Sequence, residues 1–283
     1  MTNKLLNVGL LDQQINIVVA LRCEAKPLID FYKLKPKYSK PFAVYSGVVE
    51  AQSINLIVSG IGPINAAAAV AWLAAKSDQT INCWLNIGVA GHKNYAVGEI
   101  LRVHQVVDRE TEKGCYPPQT IKWSGKTAAL LTYNSQVSEY PAGSMVDMEG
   151  AAFFSTAHKF SSSEFVQSLK IISDNQENSI DRLNAALISE LIDAVMPMIS
   201  DFITALSVNP ISQIDLTELS GFTSHLHMTA SQRQQFFLAI NKLYALDALD
   251  DSAFTILKES TSTKECLHKL NNLHKAIEPS LLL

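Results

Sequence analysis

The stretch SINLIVSGIGPINAAAAVAWLAAK, Ser53–Lys76, changes its periodicity within one turn. Its first part is an apolar, β-branched run of strand length. Its last part is alanine-rich and of helix length. Between them Gly60 and Gly62 allow a sharp turn and a close backbone approach, with free N–H groups at the helix start. The order strand, glycine turn, helix is the repeating unit of an α/β sheet.

The same order appears on either side. INIVVAL (Ile15–Leu21) reads as a buried strand and CEAKPLIDFYKL as the helix after it. FAVYSGVV, CWLNIGVAG, EILRVHQVVD, TAALLTY and VQSLKIIS are further strand candidates, and CWLNIGVAG runs into a second glycine turn. DMEGAAFFSTAHKF reads as a helix with its acids at the start. Residues 109–126, with Gly114, Pro117 and Pro118, look irregular. Ser179 or Asp181 is placed to cap a long helix reaching about Leu206. The pattern predicts an α/β fold with a largely parallel sheet.

Near Ser207 the composition shifts. NPISQ reads as a linker, and the rest carries helical periodicity in QRQQFFLAINKLYAL and ECLHKLNNLHKAI. Phe236, Phe237 and Tyr244 are expected to pack helices there. Residues 1–207 are therefore expected to form one domain and 208–283 a helical extension.

The 283 residues are 47% hydrophobic and 18% charged, enough for a substantial core, with a net charge of −4. No clustered Lys and Arg suggest nucleic-acid binding. Cys23, Cys83, Cys115 and Cys266 are scattered and read as reduced thiols. With no signal peptide and no apolar segment of membrane-spanning length, the expectation is a cytoplasmic protein that does not contact membranes. His225, His227, His268 and His274 lack matching Cys or acid spacing, so neither a metal nor a cofactor is expected.

Chemistry-bearing residues fall at predicted strand ends and helix starts, where open α/β sheets bind ligands. Glu24 follows the first strand; it could be a capping acid or a site acid. Gly60 and Gly62 form one turn, Gly88 and Gly91 another. Asn65 replaces the third glycine of a dinucleotide fingerprint, and the Walker lysine is absent. SMVDMEGAAFF (Ser144–Phe154) carries Asp147 and Glu149 into an apolar run, which is costly unless a partner is present. Glu149 is expected at a helix N-terminus, staying ionised there. Asp174 should emerge at the end of VQSLKIIS. A cap for Glu149 and a turn for Asp174 are the plain structural readings. Tyr133, Phe153 and Phe154 could stack on a base, with core packing the default for both Phe.

In this order, ALRCEAKPL, SGIGPINAA, NIGVAG, VGE, VDMEGAA and SDN resemble the nucleoside phosphorylase/nucleosidase superfamily, closest to the 5′-methylthioadenosine/S-adenosylhomocysteine nucleosidases. The likeness runs from about Ile15 to Leu206. It implies a three-layer α/β/α sandwich around a mixed sheet, and cleavage of the N-glycosidic bond of a purine nucleoside. By motif position it implies that Asp174 protonates or hydrogen-bonds the purine and that Glu24 activates water. Met148 would pack on the ribose and Glu149 would accept its hydroxyls. Ile61, Val89, Ala90, Gly91, Ser173 and Tyr133 would line the substrate. The resemblance also implies a homodimer. The chain departs from the pattern at Val89 (often Ser), Lys170 (usually Arg) and Asn175. Its segment between Gly98 and Glu149 is short, leaving only about Thr132, Tyr133 and Asn134 for a base loop. A phosphorylase and a nucleoside-binding module without turnover are the competing readings.

Overall fold

The computed structural model describes residues 13–49, 52–77, 81–137, 140–207, 219–245 and 248–277. Its contacts divide the chain into a unit within Asp12–Asn209 and a helical unit within Pro210–Leu283. The expected linker NPISQ falls outside the described residues.

In the first unit, the strands are β1 (Gln13–Val19), β2 (Lys35–Tyr38), β3 (Ala43–Val49), β4 (Gln52–Val58), β5 (Ile81–His92), β6 (Ile100–Asp108), β7 (Gly114–Cys115), β8 (Lys126–Thr132), β9 (Ser144–Asp147) and β10 (Val166–Asp174). The helices are α1 (Arg22–Tyr32), α2 (Pro63–Ala74), α3 (Gly150–Ala157), α4 (Ala185–Ala194) and α5 (Met196–Ser207). The ten strands form one mixed sheet, with helices on both sides. α1, α4 and α5 pack together, as do α2 and α3. This is the α/β/α sandwich expected from the sequence.

Parallel pairing runs through the middle, β4–β1–β5–β10. These strands are apolar because both faces are covered; every residue of β10 is buried. At the far side the sheet closes on itself, since β10 pairs with both β5 and β6, and β6–β8–β9 leads back to β5. Every strand of that ring is thus hydrogen-bonded on both sides, which leaves it no open edge. At the other side the outermost strand, β2, is exposed along its length and carries Lys35, Pro36 and Lys37, residues that discourage edge pairing.

Three elements differ from the sequence expectation. Asp147 is the last residue of β9, a four-residue strand; the helix begins only at Gly150. Ser179 caps a short 3₁₀ turn, Ile180–Arg182, by accepting from the Asp181 N–H. The expected long helix is two: Asn184 caps α4 by accepting from Ala186 and Leu187 N–H, and the chain breaks at Val195 before Pro197. Proline lacks the N–H and crowds the preceding turn, which favours a break there, although α1 accommodates Pro27 within its length.

The helical unit comprises α6 (Ser220–Thr223), α7 (Ala230–Ala245), α8 (Asp251–Glu259) and α9 (Thr263–Ile277). Its own core includes Leu226, Phe236, Ile240, Leu243, Leu257 and Leu270. Phe236 packs as expected, Phe237 is half-buried, and the Tyr244 side chain lies outside what is described. The paired histidines serve this fold: His225 Nε2 lies 3.0 Å from the Ser260 carbonyl, and the Thr263 hydroxyl donates to the His227 carbonyl.

Candidate active site

Two groups of acids stand at the ends of β1, β5, β9 and β10. The first gathers Glu24, Asp147 and Glu149 about one cation, Lys170. The second is Asp174 with its hydroxyl neighbours. Both groups have a residue on β10, where Lys170 pairs with Gly88 of β5 and Asp174 with Gly91. Four residues of strand separate the two by roughly 13 Å along the chain.

Glu24 lies in the first turn of α1 and is 2% exposed. One carboxylate oxygen accepts the N–H groups of Ala20 and Leu21 at 2.8 Å each; the other accepts Val89 N–H at 3.0 Å. The acid therefore caps its own helix, one of its two sequence readings, and also binds β5 at Val89; Gly88 and Gly91, expected in a turn, lie within that strand. Burial raises its pKa, and the three N–H groups and Lys170 only partly offset that. Gly88 leaves room for this: a Cβ there would meet a Glu24 oxygen at 2.9 Å and Lys170 Nζ at 3.6 Å.

Lys170 is 1% exposed and pairs with Asp147 at 2.8 Å. Burial alone would lower its pKa, but Asp147, Glu149 and Glu24 outweigh it and the net shift is upward, so the ammonium is kept. Asp147 also accepts the Thr132 hydroxyl at 2.7 Å and Gly150 N–H at 2.9 Å. Thr132 accepts Ala151 N–H in turn. Asp147 is thus the acid that meets the start of α3, and Thr132, expected near a base, is committed to it.

Glu149 stands at the start of α3 as expected, but not as its cap, and it is harder to ionise than expected there. It occupies the N-cap position but makes no side-chain cap; its carboxylate reaches the other side of the site and accepts Gly62 N–H at 2.7 Å. Burial and the neighbouring Asp147 raise its pKa to about 7, against the opposing pull of Lys170 and Gly62 N–H. Gly62 is free to present that N–H because it holds φ +96°, a conformation side chains disfavour.

Asp174 ends β10 and is 2% exposed. Oδ1 accepts from the Ser173 hydroxyl and Oδ2 from the Tyr140 hydroxyl. Tyr140 lies in the connection 133–143 between β8 and β9, and its ring lies against Gly91: a Cβ on Gly91 would sit 2.4 Å from the ring and 2.6 Å from Asp174 Oδ2. Burial, then the hydrogen bond to Asp174, pushes the Tyr140 phenol well above its ordinary range, so it stays a donor.

The other expected residues divide. Gly91 and Ser173 touch Asp174 directly. Val89 contributes its N–H to Glu24. The Ala90 side chain belongs to the hydrophobic core, beside Ile172. Ile61, 53% exposed, flanks Gly62, and Met148 is half-buried between the two acids. The Tyr133 ring faces the Arg109 guanidinium at 6.0 Å, and Tyr140 is the tyrosine on Asp174. Phe153 and Phe154 are core residues. The sequence reading missed Tyr140 and the partnership of Asp147 with Lys170. A lysine inside the apolar run VQSLKIIS was a usable signal for a buried carboxylate partner; Tyr140, in an irregular turn, offered none.

No family model and no curated protein matches the sequence. Solved structures do match in fold. A 5′-methylthioadenosine nucleosidase of Arabidopsis thaliana in apo form superposes with TM-score 0.57 at 18% identity, over 69% of this chain and 96% of that one. The MTA/SAH nucleosidase of Streptococcus pneumoniae, in complex with 8-aminoadenine, gives 0.57 at 20%, over 68% and 99%. The futalosine hydrolase of Helicobacter pylori gives 0.55 at 18%, over 68% and 98%. The chain thus has the fold in which these nucleosidases are built, nearly end to end on their side and over about two thirds of its own length.

Proposed function

We propose that the chain is a nucleosidase that hydrolyses the N-glycosidic bond of a purine nucleoside such as 5′-methylthioadenosine or S-adenosylhomocysteine. What supports this most is β10, which carries a member of the carboxylate cluster and a separate buried acid on one strand, both against the glycines of β5. Glycosidic cleavage passes through an oxocarbenium-like state: the sugar gains positive charge while the departing base needs a proton. Acids in unlike environments suit the two ends of that bond.

On this reading Asp174 supplies the base end. The sugar end is Glu149, whose carboxylate accepts ribose hydroxyls while Gly62 N–H fixes its direction. Glu24 takes a proton from the attacking water; its raised pKa makes it a stronger base than an exposed carboxylate. Lys170 holds the acids together, and the negative potential they retain favours a cationic sugar.

Hydrolysis fits better than phosphorolysis. A phosphate dianion entering beside Glu24 would meet three carboxylates and a cation already paired with one of them. Arg102 is buried and spent on the carbonyls of Pro118 and Ile121 and on Gln167. The test is a panel of purine and pyrimidine nucleosides with and without inorganic phosphate, read by chromatography. Purine release independent of phosphate is expected. Release that requires phosphate would assign a phosphorylase, and nucleoside binding with no release would assign a binding module. The two-fold assembly expected from the sequence is part of the same proposal, checked by sedimentation.

A further inference from the structure

Tyr140 presents to Asp174 what a departing purine would present. Its ring is planar and aromatic and lies against Gly91, where a Cβ would come within 2.4 Å of it. It directs a single donor, the phenol O–H, at Asp174 Oδ2. A purine that has just been protonated on its imidazole nitrogen also brings a flat ring and one N–H donor. The other carboxylate oxygen is already taken by the Ser173 hydroxyl. With the Tyr140 ring against Gly91 and its hydroxyl on Oδ2, a base cannot take that approach to Asp174 until Tyr140 leaves. The ring has somewhere to go: it also lines a cavity of about 470 Å³ with Lys93, Gln136, Asn175, Ser179 and Asp181. Because the cavity is polar, the phenol can exchange its partner there without being stranded.

We propose that Tyr140 is an internal competitor for the base, a specificity-determining residue that occupies Asp174 until a purine with a matching donor or acceptor displaces it; this rests on the nucleosidase reading of Asp174. The base must then bind against the docked tyrosine, so its apparent affinity is reduced by the fraction of molecules with Asp174 covered. The same contact would help expel the product, because the tyrosine re-forms the hydrogen bond that the leaving purine gives up. Bases without a group able to replace the phenol at Asp174 would not compete.

The test is calorimetric binding of free adenine and hypoxanthine to the full chain and to its Tyr140→Phe and Tyr140→Ala variants. Phe keeps the ring and loses only the hydroxyl. About tenfold tighter purine binding is expected for Phe, in line with loss of a competing hydrogen bond to a carboxylate, and at least as much for Ala. Damage to the fold cannot tighten binding, so this readout separates competition from a structural role. Weaker or unchanged binding in both variants would overturn the proposal and make Tyr140 a wall of the base site. If neither purine binds any of the three proteins, the nucleosidase reading itself fails, and this inference with it.

Discussion

The two acidic regions of the site are held in opposite ways. Around Lys170, Glu24 and Glu149 are tied down by main-chain N–H groups from two turns and strand β5, and Asp147 by an ion pair, a hydroxyl and an N–H. Among the described residues, Asp174 is held by two side-chain hydroxyls. Main-chain donors are fixed by the fold and do not exchange. Hydroxyls rotate, accept as well as donate, and can be replaced by a ligand. The first region is suited to holding a standing electrostatic field. The second is suited to passing a proton.

That contrast can be broken most severely at Asp174. Asp174→Asn keeps the shape and removes the acid; kcat should fall by about 10²–10⁴-fold, the usual contribution of a positioned general acid, with the melting temperature little changed. Equal loss of activity and of stability would mean that Asp174 is structural. In the other region the ranking should invert. Lys170→Met leaves Asp147 buried without its cation, at a cost to stability of about 3–5 kcal/mol in denaturant titration. A stable Lys170→Met protein would show that the cluster is less enclosed than described.

A third change strikes the contact between Tyr140 and Asp174. In Gly91→Ala the new methyl would crowd both, and overpacking of this kind costs about 1–3 kcal/mol. Activity should suffer more than the melting temperature, because the tyrosine can move and the acid cannot.

The last effect is on pH. Glu149 titrates near 4.5 when unfolded and near 7 when folded, so the folded state holds the extra proton between those values. Stability should therefore fall as pH rises from about 4.5 to 7 and level off above, and Glu149→Gln should remove that slope. kcat/KM should rise over the same range as the carboxylate that accepts the sugar hydroxyls forms. A flat stability profile in the wild type would place Glu149 in contact with water.

Much of this was legible in the sequence because periodicity reports burial. The runs at Ile15, Ser53 and Val166 became the parallel centre, and the Gly60–Gly62 turn fell at the strand end beside Glu149, whereas Gly88 and Gly91, expected in a turn, lie inside β5. Illegible parts depend on long-range pairing. β9 has four residues and looks like the start of α3; only its pairing with β5 and β8 makes it a strand. The plain reading of Glu149 as a cap does not hold, because here Asp147 meets the start of α3 and frees Glu149 to cross to Gly62. Tyr140 sits in a turn without periodicity, and nothing local to it points to Asp174.

The most direct measurement is product analysis after incubating the wild-type chain with 5′-methylthioadenosine in phosphate-free buffer. The account predicts free adenine and free methylthioribose in equal amounts. Intact nucleoside at high enzyme concentration, or a sugar phosphate that forms only when phosphate is added, would contradict it.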